Sequence, residues 1–287
     1  MPIKIVTDST SDLPQAVAAE YGITVIPAYI NIGDKSYLDG VELSRQEFYE
    51  RLPAYDPPPT TSAPGLGTFV EAYERLAAGG ATEVLSIHIS STLSGMLNVA
   101  HAAAQTLKKV RVTVFDSRQL TLGTGFLALA AAKAAAVGHS MAEIVTSLKE
   151  MALRVYSFAA VDTLEFLRRG GRLTRLQSSL GALLSIKPLL TMYDGEMTME
   201  RIRTRSRAIE RLIGLVSELG PLEELALLHA HAPARAEEFR HHIQHLIPQG
   251  LVPFSVEVTP VIGAHVGPGA VGLVCVKVRA FSERSNT

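Results

Sequence analysis

A chain of 287 residues is long enough for about two domains of ordinary size. With 47% hydrophobic and 19% charged residues it can bury a large core, which excludes disorder over most of its length. A formal net charge of −1 argues against a nucleic-acid surface or a polybasic membrane patch, both of which require clustered Lys and Arg.

The start, Met1–Ile5 (MPIKI), lacks the basic and apolar regions of a signal peptide, so a cytoplasmic protein is expected. Ile3–Thr7 predicts a strand, Leu13–Tyr21 a helix and Thr24–Ile32 extended chain. Ser44 with Glu47 has capping-box spacing and opens a short helix to Leu52. Pro57–Pro64 (PPPTTSAP) reads as a loop, because its prolines remove backbone donors. Helical periodicity returns at Gly67–Ala78, followed by a strand at Glu83–Ile89, a helix at Ser94–Leu107 and a strand at Val110–Phe115. Leu120–Val137 reads as a long Ala-rich buried helix. Its apolar run from Thr124 is broken by Lys133 and is too short for the ~20 residues that span a bilayer, so no membrane insertion is expected. Ser140 with Glu143 caps one more helix. Strands alternating with helices favour a mainly parallel sheet with helices on its faces.

The texture changes near Arg154. We expect an N-terminal α/β domain over residues 1–154, a C-terminal α/β domain with a mixed sheet over 155–281, and a frayed tail at 282–287. Phe158–Val161 predicts a strand, and Asp162 with Glu165 a capping box for a helix at Leu164–Arg169 that Gly170-Gly171 ends. Ile186–Met192 is β-like, and Asp194-Gly195 is a two-residue hairpin signal. Helices are expected at Arg205–Leu219 and Ala234–Leu246, and strands at Leu225–Ala230, Pro253–Val258 and Gly272–Arg279. The glycine-rich Gly263–Gly269 reads as a loop before the last strand. Cys275, the only cysteine, sits in that strand; no internal disulfide can form, in keeping with a reducing compartment.

Three polar segments lie where an open α/β sheet binds ligands: Thr7–Asp12, Thr60-Thr61-Ser62 and Ser90–Gly95. Each offers hydroxyls beside backbone N–H groups, and the third stands at a helix start that favours an anion. Each singly is also what plain capping produces, and Asp8 and Asp12 are read that way. His265 is an imidazole among glycines that allow backbone to approach a ligand closely. Arg168–Arg172 and Arg201–Arg207 are basic runs; the second alternates Arg with other residues, which in an extended segment projects arginines to one face, and a solvated face is the ordinary reading. His241 and His245 face together at i,i+4, but with His229, His231 and His242 they lack an accompanying HExxH, Cys pair or carboxylate spacing, so no metal is expected. There is no GxxxxGK[ST] phosphate loop, no GxSxG elbow and no GxGxxG after the first strand.

Taken in order, TDSTSDL at Thr7–Leu13, TTSAP at Thr60–Pro64, ISSTLSG at Ile89–Gly95, DTLEFLRRGGRL at Asp162–Leu173, KPLL at Lys187–Leu190, IRTRSRA at Ile202–Ala208 and GAHVGPGAVGL at Gly263–Leu273 resemble the DegV family over nearly the whole chain. The resemblance implies two α/β domains with a long-chain fatty acid between them. It also implies a non-catalytic acyl-binding subunit that serves a bacterial fatty acid kinase. Thr61 and Ser62 match the loop that hydrogen-bonds the carboxylate, Ser94 with Gly95 the second contact, and His265 the imidazole near the head group. Arg203 matches a basic position linked with kinase docking, and Arg172 is a second docking candidate.

Carrier chemistry is physically reasonable. The ~14 methylenes of a sixteen-carbon tail are worth on the order of 11 kcal/mol gross on burial. Neutral hydroxyl donors compensate a desolvated carboxylate while leaving it available to a second protein. The sequence carries no set of carboxylates for ATP and metal ions, so the partner kinase is expected to supply the nucleotide, and no cofactor is expected here. The rival readings are a stand-alone hydrolase using Ser94 with His265, and a regulatory lipid sensor.

Overall fold

The computed structural model describes residues 2–173 and 186–279; the tail expected at 282–287 lies outside them. The first half alternates strands and helices in chain order: β1 (Ile3–Asp8), α1 (Gln15–Glu20), β2 (Thr24–Ile26), β3 (Tyr29–Ile32), β4 (Lys35–Leu38), α2 (Arg45–Arg51), β5 (Thr60–Ser62), α3 (Leu66–Ala78), β6 (Glu83–His88), α4 (Met96–Thr106), β7 (Arg111–Asp116), α5 (Leu122–Ala136) and α6 (Met141–Ala152). Four of these strands form a wholly parallel sheet in the order β2-β1-β6-β7. Its inner strands are buried almost throughout, as helices on both faces require.

The second half supplies β8 (Val155–Ala160), α7 (Glu165–Arg169), β9 (Lys187–Tyr193), β10 (Glu196–Ile202), α8 (Arg205–Glu218), β11 (Leu222–His229), α9 (Pro233–His242), β12 (Phe254–Glu257), α10 (Pro260–Val266) and β13 (Val271–Lys277). Its six strands run in the order β10-β9-β8-β13-β11-β12, antiparallel except for the β11–β12 pair. The architecture is therefore mixed α/β: a parallel sheet flanked by helices beside a separate mixed sheet. The Asp194-Gly195 hairpin forms as expected, with φ of 47° and 82° at its two central residues.

Helix α5 joins the halves. Ten of its residues are buried, and it touches β1 and β6 of one sheet and β8 and β13 of the other. A helix apolar on every side is stable only where protein surrounds it. The Ser140/Glu143 capping box forms in full at the start of α6.

Four local expectations are corrected. Thr24–Ile32 is two strands in different sheets, since β2 pairs with β1 and β3 with β4 and β5. The proline-rich segment contains a strand: Thr60, Thr61 and Ser62, the residues between its prolines, keep their donors and pair with β3. Asp162 does not cap α7. Its carboxylate instead gathers Arg205 at 2.5 Å and Arg235 at 3.0 Å, with Lys187 at 3.7 Å. Finally, the glycine-rich Gly263–Gly269 is largely the helix α10, begun by Thr259 in extended conformation and Pro260 at its first position, and ended by Gly267 at φ 74°.

Candidate functional site

A cavity of about 320 Å³ lies between the carboxyl edge of the parallel sheet and the inner face of the six-stranded sheet. Ala28 and Ile89, just past β2 and β6, line one side, and Phe158, Met192 and Leu228 of β8, β9 and β11 line the other. The wall is mostly apolar with a few polar groups, as ligand pockets are. Thr61, Ser62, Ser94, Gly95 and His265 all line it, brought from three separate stretches of chain.

Each is placed by its element. Thr61 is the middle residue of β5, held opposite Ile30 of β3. Ser94 precedes α4, and its hydroxyl accepts from the Met96 N–H at 3.2 Å, with Gly95 in the N-cap position. Ser62 Oγ accepts a long 3.4 Å hydrogen bond from Asn31. His265 is in the last turn of α10, and its Nε2 meets Thr61 Oγ1 at 2.9 Å. The other nitrogen, Nδ1, is buried and has no hydrogen-bond partner among the described residues.

Gly170, at the end of α7, makes this placement possible. A side chain there would overlap His265 Nδ1, just as one at Gly267 would overlap Phe166. The glycines of the RRGGR and GAHVGPG segments are thus two sides of one contact between α7 and α10.

Burial, helped by the neighbouring Arg172 charge, pushes the His265 imidazole down to about 3. It is therefore neutral at physiological pH, able to donate from one nitrogen and accept at the other. Arg172, expected at a docking surface, lines the cavity, with its Nη1 donating to Gly170 O at 2.7 Å. The polar end is consequently not built of uncharged donors alone: a guanidinium stands beside hydroxyls and a neutral imidazole. Such a set compensates a carboxylate taken out of water.

Arg203 lies elsewhere. It is exposed in the two-residue link between β10 and α8 and does not line the cavity. Within the same run Thr204 caps α8 and Arg205 pairs with Asp162. For a hydrolase the geometry is poor: the imidazole is paired with Thr61, no carboxylate orients Nδ1, and its basicity is suppressed. A Ser86–His88–Asp8 chain with spacings of 2.7 and 2.8 Å does exist, but all three side chains are sealed from solvent under Tyr73 and Phe69. Among the described residues no group of three or more His, Cys, Asp or Glu is placed to hold a metal ion, and no helix is long and apolar enough to cross a membrane.

Thr10, from the polar segment Thr7–Asp12, also lines the cavity, as do Thr121 and Ser157, which the sequence did not point to. Thr121 sat inside an expected helix and Ser157 beside an expected strand, so neither offered a signal.

The DegV family model matches residues 2–278 of the chain. A DegV domain-containing protein of Streptomyces coelicolor is 38% identical over 276 residues, covering 95% of this chain and 97% of its own length. Protein DegV of Bacillus subtilis is 35% identical over 279 residues, covering 95% and 98%. The crystal structure of DegV, a fatty acid binding protein from Bacillus subtilis, superposes with a TM-score of 0.87 at 35% identity, over 96% of this chain and all (100%) of that one. A DegV family protein from Thermus thermophilus, described for its fatty acid binding, gives 0.86 at 32% identity over 97% and 100%.

Proposed function

This chain belongs to the DegV family, and from that premise we propose that it binds a long-chain fatty acid in the cavity between its two sheets and presents the carboxylate to a partner kinase. The observation that carries the binding reading is the meeting of Thr61 and His265 at 2.9 Å on the wall of a mainly apolar cavity that Arg172 also lines. An acyl tail fills the apolar part, and the carboxylate takes the hydroxyls of Thr61, Ser62 and Ser94, the helix start at Gly95, and the Arg172 charge. Two solved relatives described as fatty acid binding, at 35% and 32% identity, support the same ligand class.

The kinase role is the further step of this reading. The chain supplies the acyl group, a partner supplies ATP and its metal ions, and the product is an acyl phosphate held in the cavity. The chain itself needs no cofactor and is not an enzyme, and Arg203, exposed and outside the cavity, belongs to the docking face. Two units meeting near Arg154 fit the role, since the parallel sheet lies wholly before that residue and the mixed sheet wholly after it.

Protein purified from bacteria should release a long-chain fatty acid on denaturation, detectable by mass spectrometry. Repeated lipid-free preparations that also refuse palmitate and oleate overturn the reading. With an acyl-phosphate-forming kinase supplied, Arg203→Ala should slow phosphorylation while fatty acid binding stays near normal. A collapse of lipid affinity would put Arg203 in the pocket instead.

A further inference from the structure

Thr121 is the most constrained residue on the cavity wall. It stands at the N-cap of α5, where a threonine hydroxyl ordinarily accepts a hydrogen bond from the first turn. Here it makes no such bond. Its carbonyl oxygen accepts from Thr124 N at 2.9 Å and Gly125 N at 3.1 Å, while φ of 48° and ψ of −144° hold the backbone outside the conformation usual for a capping residue. That backbone conformation is costly for a β-branched residue, and such strain persists only where surrounding structure imposes it. The hydroxyl so placed is buried, without a hydrogen-bond partner among the described residues, on a residue that lines the cavity.

Ser157, 6% exposed, lines the same cavity from β8. Its hydroxyl proton is committed: Ser157 Oγ donates to Gln119 Oε1 at 2.9 Å, and Gln119 is oriented because its Nε2 donates to Val155 O at 2.8 Å. What Ser157 still offers a ligand is oxygen lone pairs. The start of α5 packs tightly on β8, since a Cβ at Gly123, two residues on from Thr121, would stand 3.0 Å from Ser157 Oγ. Thr121 thus brings a free donor and Ser157 an acceptor to one cavity, in a wall that otherwise includes Leu120, Phe158 and Leu228. A saturated chain passing this point leaves the Thr121 hydroxyl unpaired at a cost. A ligand hydroxyl, which both accepts and donates, satisfies both partners.

We infer that Thr121 and Ser157 form a second polar subsite in the cavity, selecting a long-chain acid that carries a hydroxyl group along its chain. This rests on the fatty-acid reading and adds the substrate class to it. The test is a comparison of affinities for palmitate and for a set of monohydroxypalmitates differing in hydroxyl position, using delipidated full-length protein. At least one positional isomer should bind roughly 5–10-fold more tightly than palmitate. In Thr121→Val, which keeps the β-branched shape and removes only the hydroxyl function, that ratio should fall to about one. Thr121→Ser should preserve it, and Ser157→Ala should reduce it. If palmitate binds and no isomer binds more tightly, or if the preference survives in Thr121→Val, the subsite is overturned while the fatty-acid reading stands. If neither palmitate nor any isomer binds, both fall together.

Discussion

At the scale of single residues, the polar end of the cavity keeps one imidazole neutral. His265 gains a hydroxyl partner in Thr61 and loses its water to burial, and the nearby Arg172 further disfavours a second positive charge. A folded value of about 3 against an ordinary 6.5 means the unfolded chain binds this proton more readily between those limits. His265 therefore contributes stability above about 6.5 that is lost as pH falls toward 3. Thr61 already has the imidazole as a partner, and under the proposed function its hydroxyl also meets the ligand carboxylate. Thr61→Val should lower fatty acid affinity roughly tenfold, about one lost hydrogen bond with a buried nitrogen left unpaired. Titration calorimetry with palmitate checks this, and an unchanged affinity would remove Thr61 from the head-group site. In the sequence Thr61, Ser94 and His265 were visible only as residue types that also cap helices and bend loops. Their order within the family pattern singled them out, while Arg172 looked like one more surface charge.

At the scale of elements, local chemistry was readable where the signal and its partner lie within one turn. Ser140 and Glu143 form their box because each satisfies the other's backbone donor: Glu143 Oε2 accepts from Ser140 N at 2.8 Å and Ser140 Oγ accepts from Glu143 N at 3.4 Å. Ser140→Ala should cost about 1 kcal/mol in chemical denaturation and leave the palmitate affinity untouched, since α6 contributes nothing to the cavity wall. A loss well below that would mean the exposed box adds nothing beyond the neighbouring packing of Ile144 and Leu148. Asp162 shows the opposite case. Its spacing to Glu165 imitates a capping box, but Arg205, Arg235 and Lys187 arrive from elements far along the chain. Burial alone would raise this carboxyl; the two arginines more than offset it and hold it below its ordinary range. Strand β5 and helix α10 were missed for a related reason. Each is short, rich in residues that signal loops, and fixed by partners outside its own sequence, β3 for the strand and α2 and α7 for the helix.

At the scale of the whole molecule, the two halves are joined by buried polar contacts as well as by the apolar core that runs through α5. Asp12 Oδ1 accepts from Thr259 N at 2.7 Å, Tyr49 OH donates to Val258 O at 3.0 Å, and Arg45 donates to Glu257 O. All three receive the stretch that leads into α10 and so hold His265 in place. Burial raises the Asp12 carboxyl to about 7 against the opposing Arg45 charge and the Thr259 hydrogen bond, with the Asp39 carboxyl beside it adding to the rise. Asp39 is itself raised to about 6, chiefly by burial. Because the folded chain binds the Asp12 proton more readily than the unfolded chain between 3.8 and about 7, stability from this group is lost as pH rises through that window. Asp12→Asn keeps an oxygen for Thr259 and removes the titration. Its melting temperature should gain on the wild type by on the order of 5 °C between pH 5 and pH 8. A difference that stays flat with pH would mean that Asp12 is ionised throughout and compensated by Arg45.

The sequence by itself determined the class of fold, most element positions, the burial of α5 and three polar segments that supply residues to the cavity wall. These follow from periodicity, caps and turn residues, which act within a few positions of themselves. Only the tertiary structure decided that Thr61 meets His265, that Arg172 lines the cavity, that Thr60–Ser62 is a strand, and that Thr121, its hydroxyl buried and unpartnered among the described residues, lines the cavity as well. Each of these depends on a neighbour from another part of the chain, and which distant groups become neighbours is fixed by how the two sheets close around α5.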